Sequence, residues 1–222
     1  MKKFTLEECY ARNLQSFYPA VVEAVDLGLS VKWANTNLGA KTPESFGDYY
    51  AWGELKTKSG YSWSNYKWCK GTSHSLTKYC YNSDYGVFDR KTWWLDKEDD
   101  IANVILGGKW HIPNRENWQE LRHDCIWTWK TLNGVNGYLI NSKIPGFTDK
   151  SIFLPAAGYK EDTRLEDVGY RGLYWSSSLY MYHLGPGLGL PYVALCADFN
   201  SRVLKMLEDE RILGCTIRPV LD

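Results

Sequence analysis

Gly169-Tyr170-Arg171-Gly172-Leu173-Tyr174-Trp175-Ser176-Ser177-Ser178-Leu179-Tyr180 opens the last stretch of this chain, and Gly214-Cys215-Thr216-Ile217-Arg218-Pro219-Val220-Leu221-Asp222 closes it. Both strings mix aromatic, β-branched and small hydroxyl residues, which suit a pleated, half-buried surface, so both predict rigid strand framework. Between Met181 and Leu213 comes Gly185-Pro186-Gly187-Leu188-Gly189-Leu190-Pro191, followed by apolar and charged residues without a clean overall period. Within it Val193, Leu195, Ala197 and Phe199 alternate, which predicts a strand with one side buried and the other free to face a ligand. A regular frame enclosing an irregular insert predicts a loop-borne binding surface.

The segments upstream read as a mixed domain. Thr5-Leu6-Glu7-Glu8 is a capping box, and Leu6, Tyr10, Leu14 and Phe17 fall at helical spacing, so residues 1–20 predict an N-terminal helical extension. Val21 to Ala34 is β-type sequence with a turn at Gly28, and Tyr49-Tyr50-Ala51-Trp52 reads as a short aromatic strand. Lys56 to Lys91 scatters Tyr61, Trp63, Tyr66, Trp68, Tyr79, Tyr81 and Tyr85 through Ser, Asn, Lys and Gly. Such an excursion is ordered only by folding its rings back onto the body, where it would flank the binding face. Asp96 to Leu106 predicts a helix with acidic residues in its first turns, where they complement the helix dipole. Calcium would suit the same acidic run, but the helix-start reading needs no ion. Asn114 is a competent N-cap for a second helix, with Trp118, Leu121 and Cys125 as its apolar stripe. Trp127-Thr128-Trp129, Asn133-Gly134 and Tyr138-Leu139-Ile140 predict a hairpin. Ile152-Phe153-Leu154 predicts a strand stopped by Pro155, and Lys160 to Asp167 a charged loop. Two or three helices among many short strands and long loops predict an α+β domain over residues 21–222.

Composition narrows the function. A chain of 222 residues buries enough surface to fold without disulfides or a metal. Its 26 basic and 26 acidic residues cancel, with no basic stripe of the kind that neutralises phosphates, so no nucleic-acid partner is expected. No segment approaches the roughly 18 apolar residues of a membrane span, so direct membrane insertion is not expected. Met1-Lys2-Lys3 opens like a leader, but Glu7 and Glu8 interrupt any apolar region. The expectation is a mature surface fragment, or a protein carried to its site by assembly into a phage particle. Six cysteines occur without a CxxC pair, and mostly free, buried thiols are expected; a bridge, if present, would join Cys69 to Cys80. The chain lacks a Gly-x-Ser-x-Gly elbow and a phosphate-cradling glycine motif, and His74, His111, His123 and His183 have no metal-type spacing. Neither catalysis nor a cofactor is expected.

Tyr174-Trp175-Ser176-Ser177-Ser178 followed by Ile217-Arg218-Pro219-Val220 resembles the C-terminal signature of the C-type-lectin-like paralogous domain (FISUMP type) of gut bacterial surface proteins. Four further strings are similar to that family in the same order: Ala24-Val25-Asp26-Leu27-Gly28-Leu29-Ser30-Val31-Lys32-Trp33-Ala34, Gly47-Asp48-Tyr49-Tyr50-Ala51-Trp52-Gly53-Glu54, Gly107-Gly108-Lys109-Trp110-His111-Ile112-Pro113 and Ile152-Phe153-Leu154-Pro155-Ala156-Ala157-Gly158-Tyr159. The resemblance implies a C-type-lectin-like, formylglycine-generating-enzyme-like fold. The Glu-Pro-Asn, Gln-Pro-Asp and Trp-Asn-Asp motifs of calcium-dependent lectins are missing from the sequence, so calcium-dependent sugar binding does not carry over. The cysteine pair of the formylglycine-generating enzymes has a counterpart only in Cys196 and Cys215, without the surrounding pattern.

The same signature occurs in variable proteins of diversity-generating retroelements, which implies a receptor- or adhesin-type binder whose C-terminal surface, about residues 174–214, is diversified. A fixed carbohydrate-binding surface domain is the alternative, and a catalytic relative of the formylglycine-generating enzymes comes third. The apolar candidates are Leu190, Tyr192, Ala194, Cys196, Leu204, Leu207, Ile212 and Leu213, since apolar residues gathered on a surface mark an interaction site. Tyr180, Tyr182, His183, Asp198, Arg202, Asp209 and Arg211 complete the candidate set and suit either a protein or a glycan ligand on a cell surface. Lys205, Met206, Glu208 and Glu210 are unreachable from an Asn codon by changing its two adenines when the third base is a pyrimidine, which assigns them to framework.

Overall fold

The computed structural model describes residues 22–89, 93–179 and 189–222. In chain order its elements are β1 (Ala24–Val25), β2 (Lys32–Ala34), α1 (Ile101–Leu106), β3 (Trp110–His111), α2 (Arg115–Asp124), β4 (Cys125–Leu132), β5 (Val135–Ser142), β6 (Ser151–Pro155), β7 (Tyr159–Glu161), β8 (Arg164–Glu166), β9 (Arg171–Leu179), β10 (Val193–Asn200), β11 (Leu204–Glu210) and β12 (Val220–Leu221). The strands pair antiparallel in four small sheets, ordered β1-β2-β12-β3, β11-β10-β9, β4-β5-β6 and β7-β8. With two α-helices among the described residues, this is the expected α+β architecture. The proposed helix over residues 1–20 lies outside the described residues.

Local chemistry accounts for the helices. The Asn114 side chain accepts from the Asn117 N–H at 2.8 Å, and Asn117 returns the bond to the Asn114 N–H at 3.0 Å, so α2 starts with a reciprocal cap. Its buried face is Trp118 and Leu121, and Cys125 continues that face as the chain turns directly into β4. The helix predicted over Asp96 to Leu106 is broken. Lys97–Asp99 is a single 3-10 turn, and Asp100 becomes the N-cap of α1 because its carboxylate accepts from both Asn103 N–H and Ile112 N–H.

The predicted hairpin forms as β4 and β5, paired from Cys125 with Ser142 to Leu132 with Val135. Asn133 and Gly134 both take positive φ, 49° and 85°, the combination that a two-residue turn of matching twist requires. Two other expectations are corrected. Tyr49 to Trp52 is no regular strand; it touches the C-terminal segment at two points, Tyr50 N–H to Cys215 O and Trp52 N–H to Arg211 O. Lys160 to Asp167 is no open loop either. It folds into the β7-β8 hairpin, reversing at Asp162 with φ 48°.

The central sheet, β11-β10-β9, is covered on both faces. On one side Leu173, Trp175, Leu179, Ala194 and Cys196 pack with Trp52, Tyr79, Ile101, Ile105 and Ile217. On the other Tyr174, Ala197 and Phe199 pack with Trp33, Trp118, Leu121, Tyr138 and Ile152. Each fully buried side chain of this size contributes about 1.5–3 kcal/mol, so two such cores anchor β9 and β10 far more firmly than one. The expectation that β10 keeps one free face is therefore corrected: Val193 through Phe199 are buried without interruption. Gly172 permits the close stacking on the second face, because a Cβ there would stand 2.1 Å from the Phe199 ring.

Both ends of the C-terminal frame are structural. Trp175 donates from its indole to Tyr50 O at 2.8 Å, and Trp52 donates to Ser176 O at 2.8 Å. The Ser176 hydroxyl oxygen accepts from Ser178 N–H, and that of Ser178 accepts from Arg115 N–H, so these serines tie down backbone as expected. Arg218 is fully buried and donates to Asn37 Oδ1, Ala34 O and Phe153 O at 2.9, 2.9 and 2.7 Å. It joins three chain segments that are remote in sequence.

Candidate ligand-binding face

The described part of the excursion, residues 56–89, is pinned by its rings. Tyr66 O–H donates to Trp52 O at 2.8 Å, Trp68 N–H to Gly53 O at 2.8 Å, and Tyr79 O–H to the buried Asp99 carboxylate at 2.6 Å. Asp99 also meets Lys67 at 3.2 Å and Lys78 at 2.7 Å, while Asp96 meets Lys78 at 2.6 Å. The acidic run is thus engaged by lysines and a cap, and among the described residues no group of three His, Cys, Asp or Glu is placed to hold a metal ion.

Pinning the excursion brings part of it against the C-terminal insert. Four ring contacts follow one another: His74 stacks on Tyr85 at 4.6 Å, Tyr85 meets Tyr192 at 5.5 Å, Tyr192 meets Trp63 at 6.2 Å, and Trp63 meets Tyr66 edge-on at 5.7 Å. Tyr66 is buried and anchors the inner end; Trp63, Tyr192 and Tyr85 are half-buried, and His74 is exposed at the outer end. Trp63 donates its indole N–H to Glu210 Oε2 at 3.2 Å. Burial raises the carboxyls of Glu210 and its neighbour Asp209 above their ordinary values. Leu190 is exposed just before Tyr192. The result is a strip of half-exposed rings with a carboxylate along one side, which can stack a flat or puckered ring and accept its hydroxyl hydrogens.

The sequence-derived candidates divide unequally over this geometry. Tyr192 lies in the strip, and Leu190 is exposed two residues before it. Ala194, Cys196, Arg211, Ile212 and Leu213 are buried rather than displayed at the surface. Asp198 is buried as well, held by Arg171 at 2.5 Å, and Leu207 packs partly buried on the first core. Asp209 is half-buried beside them. Arg202 and the partly buried Leu204 sit at the β10-β11 turn, the far end of that hairpin from Tyr192; at about 3.3 Å per residue, β10 alone separates the ends by roughly 23 Å. Tyr180, Tyr182 and His183 lie outside the described residues.

Trp63, His74, Tyr85 and Glu210 were not among the sequence candidates. For the rings the signal was the density of aromatics in polar sequence, but only the folded chain shows which of them reach Tyr192; Glu210, assigned to framework from its codon, stands at the edge of the strip on Trp63. Past Tyr85, Val87 and Phe88 are exposed, as are Trp93 and Trp94, where Leu179 N–H bonds to Trp93 O at the end of β9.

Cys69, Cys80, Cys125, Cys196 and Cys215 are free, with Cys69 donating to Trp63 O and Cys80 to Asn82 O rather than bridging each other. Burial pushes the Cys196 and Cys215 thiols well up, away from the thiolate that a nucleophile or metal ligand needs.

Comparison of the chain with protein-family models, curated proteins and solved structures returns no match.

Proposed function

We propose that this protein is a ligand-binding domain of receptor or adhesin type on a C-type-lectin-like scaffold, and that it recognises a cell-surface glycan through the His74–Tyr85–Tyr192–Trp63 strip without covalent chemistry. The observation that carries the reading is the continuity of that strip across two chain segments more than a hundred residues apart, with Glu210 hydrogen-bonded at its edge. Half-buried rings held by their neighbours lose little freedom on binding and offer apolar faces, while the carboxylate accepts hydroxyl hydrogens. The raised Cys196 and Cys215 thiols argue against a formylglycine-generating type of oxidation.

The placement favours a fixed surface over broad diversification. Random replacement at Ala194, Cys196, Arg211, Ile212 and Leu213 would disrupt core, so a retroelement acting here would be confined to outward positions such as Leu190, Tyr192 and Arg202. The test is a glycan array probed with the full chain and with Tyr192→Ala and Trp63→Ala, checked for unchanged fold by circular dichroism. Glycan signals lost in both variants support the reading. A chain that binds no glycan, or whose signals survive both substitutions, overturns it.

A further inference from the structure

Arg211 follows directly on β11, and its side chain has no exposure to solvent. Nη1 donates to Tyr79 O at 3.3 Å, and the guanidinium carbon lies 5.5 Å from the Trp52 ring and 5.7 Å from the Tyr66 ring. Nε and Nη2 have no hydrogen-bond partner. Those two nitrogens share one edge of the guanidinium plane. Their N–H bonds run parallel, at the spacing of the two oxygens of a carboxylate.

The surrounding charges make Arg211 the odd one. Buried Glu54 is taken by Lys58 at 3.0 Å and by the Lys67 N–H at 2.7 Å. Buried Asp99 is taken by Lys67, Lys78 and Tyr79. Arg218, also fully buried, has Nε, Nη1 and Nη2 all bonded. A buried guanidinium is stable when its donors are met by oxygen acceptors, as those of Arg218 are; two aromatic faces replace only part of that interaction.

We infer that Arg211 is an anion-receiving site whose Nε and Nη2 edge takes one carboxylate bidentately. Tyr66 touches both the guanidinium and Trp63, and the Arg211 backbone N–H donates to Tyr192 O at 3.0 Å, so the site lies directly behind the aromatic strip. The carboxylate comes either from a small free acid or from an acidic sugar lying across the strip; the second source rests on the glycan reading above, the first does not. Entry to a buried site proceeds by local opening.

The experiment is thermal unfolding of the full chain in a chloride-free buffer at fixed ionic strength, titrated separately with acetate, glucuronate and glucose. Acetate is expected to raise Tm saturably, by about 5 °C or more at a hundredfold excess over Kd. Arg211→Lys, which keeps the charge but loses the bidentate edge, is expected to lose most of that shift, and Arg211→Met all of it. Because Arg211→Met risks misfolding, the Nε–H correlation of Arg211 is followed by NMR in the unaltered chain and must move with acetate. Glucuronate acting through Arg211 with glucose inert, and weakened by Tyr192→Ala, assigns the carboxylate to a larger ligand; acetate acting alone assigns it to a free acid. No Tm response to either acid, an equal response in Arg211→Lys, or an unmoved Nε–H signal overturns the proposal. The array result of the preceding section bears only on the sugar source, so failure of the glycan reading leaves the acetate result intact.

Discussion

Trp63 donates its indole N–H to Oε2 of Glu210 across 3.2 Å, fastening the polar excursion to the last long strand. The bond joins residues 147 apart in sequence, and the ring that makes it also touches Tyr192 and Tyr66. The binding strip therefore depends on a contact that no local sequence pattern specifies.

Removing the rings should weaken ligand binding without unfolding the chain. Tyr192→Ala and Trp63→Ala are each expected to reduce affinity for an array-identified glycan about 10- to 100-fold, the range of a buried aromatic anchor. Arg202→Ala, at the opposite end of the β10-β11 hairpin, is expected to leave affinity within about twofold. Isothermal titration of the three variants checks this; an Arg202→Ala loss equal to that of Tyr192→Ala would move the site to the other end of the sheet.

Arg218 is expected to be critical for stability. Arg218→Met leaves Asn37 Oδ1 and the carbonyls of Ala34 and Phe153 short of donors inside the core, at a cost of about 3–5 kcal/mol. Arg218→Lys retains charge but not the planar fork, and should still lose about 2 kcal/mol or more. Urea unfolding measures both, and a change under 1 kcal/mol for Arg218→Met contradicts the assignment.

Asp100 gives the chain a pH dependence of definite sign. Burial pushes its carboxyl from the ordinary 3.8 up to about 6, against the opposing effect of the Ile112 and Asn103 N–H donors. A carboxyl whose folded pKa lies above its unfolded one contributes stability that is full below about 3.8 and lost as the pH rises through about 6. Asp100→Asn keeps an N-cap oxygen for one of the two donors and removes the titration, so the slope of unfolding free energy between pH 4 and 6 should flatten. Matching slopes in the variant and the parent would place Asp100 outside this effect.

Buried and outward positions of the insert should respond oppositely to the same change. Ala194→Asn places a larger polar group in a fully buried site beside Leu179 and should destabilise by about 2–4 kcal/mol. Leu190→Asn, at an exposed site, should stay within about 0.5 kcal/mol. Chemical denaturation of the pair decides it, and equal tolerance at both positions would reopen Ala194 as a displayed residue.

Short-range chemistry was readable directly from the sequence. The Asn114 cap with its Trp118 and Leu121 stripe, the Asn133-Gly134 hairpin and the framework character of the Trp175 and Arg218 strings each depend on neighbours a few residues away or on intrinsic preference. Burial on both sides of β10 was not readable, because alternation reports one covered face and is blind to a second core arriving from elsewhere in the chain. For the same reason Ala194, Cys196 and Ile212 looked like surface in the sequence, the excursion carrying Trp63 and Tyr85 was placed beside the binding face only in outline, and Glu210 read as framework. Local preference is encoded residue by residue, whereas the strip and the buried Arg211 edge arise from contacts between segments separated by more than a hundred residues, which only tertiary packing brings together.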